Sequence, residues 1–370
     1  MKKMKIFMSV FLCFSMFSFN LTVFAENIMS WQNESEAGSD ISEITSLSVD
    51  EAFDIAVSFN REIIELEENL PFLIDDYDDA NHDLAYNPDT YYSIKVQIAD
   101  LKNTIDNYDL SVQKNKDILK YDITKLFISI ANEIKEIEIQ EKNLSVLKKE
   151  LDIAEIKQKR GMLSESEFNS QNAEYIKEFN EVENKKIDLD NLYIDLNKAI
   201  GIDLRKKYSI DLDLPYTKIG NINIDEKISD GLDGNLNIKE QKQSLEVSEY
   251  EYSNYNENTS YSTIISKEND IKSKQRDIEE AEINFNDSLN KVYKNILSNE
   301  STDDKYNEEL SYKQKEFEIL NLKYSMGKAT LLEIDKKALE IEELQNKISE
   351  NRFDHYLLVM QFQNSNLIDR

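Results

Sequence analysis

Residues 89–160 contain neither glycine nor proline, and the same holds for 162–200, 235–326 and 328–370. Seven glycines and three prolines serve all 370 residues, where average usage is about 7% and 5%. Both residues break regular structure, glycine by its backbone freedom and proline by its fixed φ and missing N–H. Runs of this length without a breaker predict long helices, with the breakers marking their ends.

One of those ends occurs twice. Tyr324-Ser-Met-Gly-Lys-Ala-Thr-Leu-Leu-Glu333 sets a glycine turn between two amphipathic runs, and Lys159-Arg-Gly-Met-Leu-Ser-Glu-Ser-Glu167 does the same upstream. Gly161 and Gly327 are 166 positions apart (327 − 161), and that offset also carries Ser164 onto Thr330 and Glu167 onto Glu333. In the flanks it carries Ile153 onto Ile319, Ile156 onto Leu322 and Leu192 onto Leu358. One helical hairpin is expected to be used twice.

The apolar spacing agrees. Ile94, Ile98, Leu101, Ile105, Tyr108 and Val112 recur at three and four, and Ile123, Leu126, Phe127, Ile130 and Ile134 carry the stripe on towards Leu151. About 70 residues at about 1.5 Å each make a rod of about 100 Å, longer than a globular core requires. Phe168 to Ile200 returns in heptads, with Asn172 and Lys186 as polar interruptions. The opening reads as a helix from Leu47, with Ser48 as its N-cap and Asp50 and Glu51 meeting the positive end of its dipole. Pro71 is expected to end that helix or its extension, and residues 72–90, acidic and broken by Pro88, to form a loop. After Gly201, the alternation Ile210-Asp-Leu-Asp-Leu214 predicts a small strand in a linker. The second half repeats the plan. Ile224-Asp-Glu-Lys-Ile228 aligns with Val49-Asp-Glu-Ala-Phe53, a long helix runs from about Asn237 to Met326 with a break within 250–262, and a last helix runs from Thr330 to about Asn364.

The chain so divides into a signal peptide (1–25), a flexible leader (26–46), a first helical repeat (47–204), a linker (205–223) and a second repeat (224–370). Its fold class is all-α: two tandem repeats of long antiparallel coiled-coil hairpins. Lys2, Lys3 and Lys5 ahead of the apolar run Ile6–Leu21, with Val23-Phe24-Ala25 after it, have the order of an export signal. The one cysteine, Cys13, falls inside that signal, so the exported chain is expected to have no disulfide, thiol chemistry or zinc–thiolate site. Loss of the signal peptide's three lysines takes the formal charge from −29 to −32, a balance that opposes binding to nucleic acid or anionic lipid.

His82 lies among Asp75, Asp76, Asp78, Asp79 and Asp83, a set of oxygen ligands without the spacing or central glycine of an EF-hand, so a solvated loop is expected. His355 sits between core-spaced residues of the last helix and is expected to be structural or at the surface. No Ser-His-Asp order, P-loop or dinucleotide fingerprint is present, and neither enzyme activity nor a cofactor is expected.

Leu47-Ser-Val-Asp-Glu-Ala52 with Phe59-Asn-Arg-Glu-Ile63 resembles the opening of TolC-type outer-membrane efflux proteins. Leu196-Asn-Lys-Ala-Ile-Gly201 is similar to the close of that family's first repeat, and the two glycine turns are similar to its two hairpin tips. The resemblance covers nearly all of the chain beyond the leader. It implies a protomer of a hollow α-barrel in a homotrimer, exported and associated with the cell envelope. The tips would meet a membrane-fusion-type adaptor that links the tube to an ABC or ion-driven transporter. On that reading Gly161, Met162, Leu163, Ser164, Gly327, Lys328, Thr330 and Leu331 form the docking tips, and Tyr324 and Glu333 line an aperture. Ala329 stands where some members carry a gate arginine. The family inserts two membrane strands per half ahead of each long helix, and such a strand needs roughly nine to eleven alternating residues. Neither 72–92 nor 250–266 supplies them, so the β-barrel strands are expected to be missing. The opposing reading is an extracytoplasmic coiled-coil scaffold or adhesin with no conduit.

Overall fold

The computed structural model describes residues 45–86, 91–255 and 259–368. The expected signal peptide, the leader as far as residue 44, and Pro88 lie outside the described residues. The first repeat contains β1 (Ser46–Ser48), α1 (Val49–Val57), α2 (Arg61–Tyr86), α3 (Tyr91–Asp106), α4 (Tyr108–Lys159) and α5 (Glu165–Ile200). A linker with β2 (Ser209–Asp211) leads to α6 (Ile224–Gly234), α7 (Leu236–Ser253), α8 (Tyr261–Ser325) and α9 (Leu331–Gln363).

The helices lie side by side in a layer. From the tips to mid-height the order is α5–α4–α9–α8, and at the far end it is α2–α3–α7–α8, each helix packed on the next. Ser48 caps α1 as expected, in a capping box with Glu51, and the linker strand β2 pairs in parallel with β1, Leu47 opposite Ile210. Leader residue Thr45 is held there too, its carbonyl accepting from the Ser209 N–H at 3.1 Å.

Two expectations are overturned. Pro71 does not end a helix, and residues 72–86 are not a loop: α2 runs through both. Apart from Ile64, its half-buried and buried positions are Ile63, Leu66, Leu70, Leu73, Tyr77, Ala80 and Leu84, an alternation of three and four that ignores the proline. Packing of that heptad stripe on α3 outweighs the lost bond to the Glu67 carbonyl, and Pro71 and Phe72 face solvent, where water replaces it. The rod expected from Thr90 to Arg160 is divided at Asn107, which is buried and donates to Gln243 Oε1 at 2.6 Å. The break costs no more than that residue's assignment, since the Asn107 N–H still donates to Asn103 and its carbonyl still accepts from Ser111. The two places where strands were sought, 72–92 and 250–266, hold no strand among the described residues and are the α2/α3 and α7/α8 helical pairs, with a short turn at 254–255.

Apolar density is greatest at mid-height. Ile123, Phe127 and Ile130 of α4 meet Ala52 and Ala56 of α1, Leu196 and Ile200 of α5, and Leu212 of the linker. Phe285, Leu289, Val292 and Ile296 of α8 make the corresponding cluster of the second repeat. Asn197 organises the turn after α5. It is wholly buried, and its amide donates to the carbonyls of Lys206 (2.7 Å) and Leu204 (3.3 Å) while Tyr208 Oη donates back at 2.9 Å. Tyr193 Oη donates to the Tyr208 carbonyl at 2.8 Å, and burial pushes its pKa up to about 12, which keeps the donor protonated. Gly201 closes the helix at φ 76°, a left-handed value that favours glycine, and a Cβ there would stand 2.7 Å from the Phe59 ring.

Asn197→Leu keeps the volume and leaves those carbonyls and the Tyr208 hydroxyl unpaired. It is expected to lower the unfolding free energy by about 3 kcal/mol, read from urea denaturation; an unchanged midpoint would remove the network from the list of what holds the mid-height together.

Candidate functional site: the paired hairpin tips

At the end of α4 the Gly161 N–H donates to the Gln158 carbonyl and the Met162 N–H to the Lys157 carbonyl, both at 2.8 Å. At the end of α8 the Gly327 N–H donates to Tyr324 and the Lys328 N–H to Lys323, again both at 2.8 Å. These are two Schellman closures with glycine at φ 69° and 70°. A Cβ at either glycine would meet nothing within 4 Å, so the backbone angle, not crowding, calls for glycine.

The returning helices start in one way as well. Glu167 Oε2 accepts from the Ser164 N–H (2.9 Å) and hydroxyl (2.7 Å), and Ser164 Oγ accepts from the Glu167 N–H (3.2 Å). Glu333 Oε2 accepts from the Thr330 N–H (2.6 Å) and hydroxyl (2.9 Å), with the return bond at 3.2 Å. The shared glycine, hydroxyl and acid are therefore a Schellman end followed by a capping box. Glu333, expected at an aperture, has its carboxylate occupied by its own helix start, as does Glu167. Tyr324 is exposed, with its carbonyl serving the turn. Leu163 and Ala329, equivalent at the 166 offset, are the half-buried residues of the two turns.

What the tips offer a partner is a set of exposed apolar side chains with Lys159, Arg160, Lys323 and Lys328 exposed among them. Met162 is 70% exposed, and Met326, Leu331, Tyr324, Leu322, Ile319, Ile156 and Ile153 are exposed with it. Lys149–Asp335 (2.8 Å), Lys142–Glu342 (2.6 Å) and Lys336–Glu150 tie the two hairpins together just behind the tips. Among the described residues no group of three His, Cys, Asp or Glu side chains is placed to hold a metal ion; His82 and its aspartates lie along α2.

Sequence reasoning missed a buried polar cluster at mid-height. His355 is 2% exposed and lies 3.2 Å from Glu300 Oε1, which also accepts the Ile219 N–H at 2.7 Å. Arg352 Nε donates to buried Asp303 at 2.7 Å, and the Tyr216 ring sits between the His355 ring (4.8 Å) and the Arg352 guanidinium (4.9 Å). The signal was present: at the 166 offset Ile134, Ile137 and Leu189 of the first repeat become Glu300, Asp303 and His355.

Two hairpins with matched tips, joined side by side and closed by a mid-height core, is an arrangement with solved counterparts. The fold is that of the TolC-type channels. The TolC-like layer superposes on the outer membrane protein VceC from Vibrio cholerae with a TM-score of 0.62 at 9% identity, over 85% of this chain and 95% of that one. For the CmeC outer membrane channel of Campylobacter jejuni the values are 0.63 and 10%, over 91% and 90%. For CusC they are 0.65 and 8%, over 91% and 95%. No protein-family model and no curated protein matches the chain.

The tip caps carry a pH dependence. Bonds from the Thr330 N–H and then its hydroxyl hold the Glu333 carboxyl below its ordinary value of 4.5. The folded value is the lower one, so the cap's stabilisation is complete above the unfolded value and is lost as pH falls through the folded value. Amide protection in the first turn of α9 is expected to drop below pH 4.5, and Glu333→Gln, which still caps, is expected to flatten that drop. Hydrogen exchange with an identical acid profile in the variant would contradict this.

Proposed function

We propose that the chain is one protomer of a passive TolC-like export conduit, a homotrimer whose tips dock a membrane-fusion-type adaptor and, through it, an ABC or ion-driven pump. The observation that carries this reading is a pair of unpartnered apolar faces at opposite edges of the helical layer. On α5, Ile176, Phe179, Ile187 and Ile194 are exposed. At about 100° per residue they share one sector, roughly a third of a turn from the buried Val182, Tyr193 and Ile200. On α8, Ile283, Leu297, Tyr312, Ile319 and Leu322 are exposed in one sector in the same way. Helices α5 and α8 do not pack on each other within the chain.

A layer with two different sticky edges associates head to tail, and such a contact closes into a ring when the rotation per copy allows it. Closure at three copies is what the likeness to TolC-type channels implies for such a layer. No helix among the described residues is long and apolar enough to cross a membrane, so on this reading the shaft works outside the cytoplasmic membrane with energy supplied by its partners.

Light scattering on the exported form is expected to give three times the protomer mass, and Ile176→Glu or Ile319→Glu to give a monomer with unchanged helical circular dichroism. A stable wild-type monomer at micromolar concentration, unaltered by adaptor, would favour the scaffold reading and sink the conduit. Gly327→Val strains the turn by about 1–2 kcal/mol and is expected to weaken capture by a membrane-fusion-type adaptor of the producing organism with helicity nearly intact. Undiminished capture would leave the tip a plain turn.

A further inference from the structure

We infer that the protein surface on which the tips dock is acidic: at each tip a methionine enters an apolar recess of the partner, and the cation on the other side of the glycine meets a carboxylate. The inference rests on the docking reading above and names the chemistry of the partner.

The tips are the basic end of an acidic chain. Residues 157–167 have Lys157, Lys159 and Arg160 against Glu165 and Glu167, a net of +1. The equivalent residues 323–333 have Lys323 and Lys328 against Glu333, also +1. The rest of the chain then has a formal charge of −31 (−29 − 2). Two of the three tip acids are already engaged, since Glu167 and Glu333 accept from their own helix starts. All five cations are exposed, and Arg160 and Lys328 have no ion-pair partner among the described residues. Cations in the last turn of a helix suit the negative end of its dipole, which accounts for Lys157 and Lys323 at matching positions. It does not account for Lys328, which lies past the glycine.

The two turns share one backbone, with glycine at φ 69° and 70° and closing bonds of 2.8 Å, but the side chains beside the glycines are exchanged. The 166 offset carries Arg160 onto Met326 and Met162 onto Lys328. Each tip therefore presents one methionine and one cation on either side of its glycine, in reversed order. Met162 is 70% exposed and Met326 54%. An unbranched thioether fills an irregular apolar recess, and a cation beside it selects a partner with carboxylates and rejects a basic one. Lys149–Asp335 and Lys336–Glu150 hold one hairpin against the other just behind the tips, so a partner meets both patterns together.

An anionic lipid surface is the rival occupant. It is a continuous sheet of charge and would meet Glu165, Glu167 and Glu333 along with the cations, and lipid recognition relies on clusters of about four to eight cations. A protein surface places single carboxylates opposite Arg160 and Lys328 and leaves the capping acids alone.

The test is titration of the exported chain with the purified membrane-fusion-type adaptor of the producing organism, beside vesicles of phosphatidylglycerol in phosphatidylcholine. Adaptor affinity is expected to fall about tenfold between about 0.1 M and about 1 M salt, as the screening length shortens from about 10 to about 3 Å. Arg160→Glu with Lys328→Glu is expected to lower it about tenfold at low salt, and Arg160→Gln with Lys328→Gln about threefold, with helical circular dichroism unchanged. Lys305→Glu, about 33 Å from the tip along α8, is expected to leave it unchanged. Adaptor binding that ignores both salt and charge reversal overturns this inference and leaves docking standing. No adaptor binding by the wild type at any salt overturns the docking reading and this inference with it. Charge-dependent binding to the phosphatidylglycerol vesicles, with adaptor binding indifferent to charge, overturns the acidic protein surface in favour of lipid headgroups.

Discussion

A long helix has no interior of its own. It can bury one stripe per neighbour and leaves the rest of its circumference in water, so α4, of 52 residues, and α8, of 65, depend on lateral partners along their whole length. This requirement produces the layer and dictates where it is strong. Within a hairpin, neighbours share an apolar seam. Between hairpins, α4 and α9 add lysine–carboxylate pairs that are largely solvent-exposed and contribute little energy each, but set the register of one hairpin on the other. A layer held in this way has two terminal helices, and their outer stripes are the direct consequence of its finite width.

The two halves solve one problem at mid-height with different chemistry. In the first, Ile134 and Leu189 pack against the apolar cluster around Phe127, and Ile137 is buried further along α4. In the second, the equivalent positions are Glu300, Asp303 and His355, buried and hydrogen-bonded to one another's neighbours and to the linker. A buried ionic cluster adds little net stability over an apolar one, because desolvation opposes the attraction, yet removal of one member is costly. What the second arrangement adds is direction. The Ile219 N–H has one acceptor and the Tyr216 ring one slot, so the linker between the repeats is seated in a single way. Duplication supplied the helices, and divergence at three positions supplied the anchor for the connection.

The duplicated hairpins, their turns and their caps could be read from the chain because each depends on residues close in sequence: Ser48 with Glu51, Ser164 with Glu167, Thr330 with Glu333, Gly161 and Gly327 at their turns. Helix α2 could not be read in that way, because Pro71 and five aspartates argue locally for a loop while the evidence for a helix is the heptad from Ile63 to Leu84, whose value depends on α3 lying opposite. Asn107 is a similar case: its burial and its bond to Gln243 involve a partner 136 positions away. The tips were legible in position and in their capping roles. The glycine, hydroxyl and acid that suggest a docking signature are accounted for by backbone capping, which moves any recognition role to the exposed methionines and leucines around them.

Helix α2 also decides what the far end of the molecule can touch. Pro71 leaves its Glu67 carbonyl to water, where a membrane would require every backbone bond to be met internally, and its sides are not compatible with hydrocarbon. Each charged residue at the centre of a bilayer costs about 2.5–3.5 kcal/mol, and the net of −8 on this one helix, nine acids against Arg61, leaves no apolar face wide enough to offset it. Helix α2, with this charge spread around its circumference, is a helix suited to water and not to hydrocarbon.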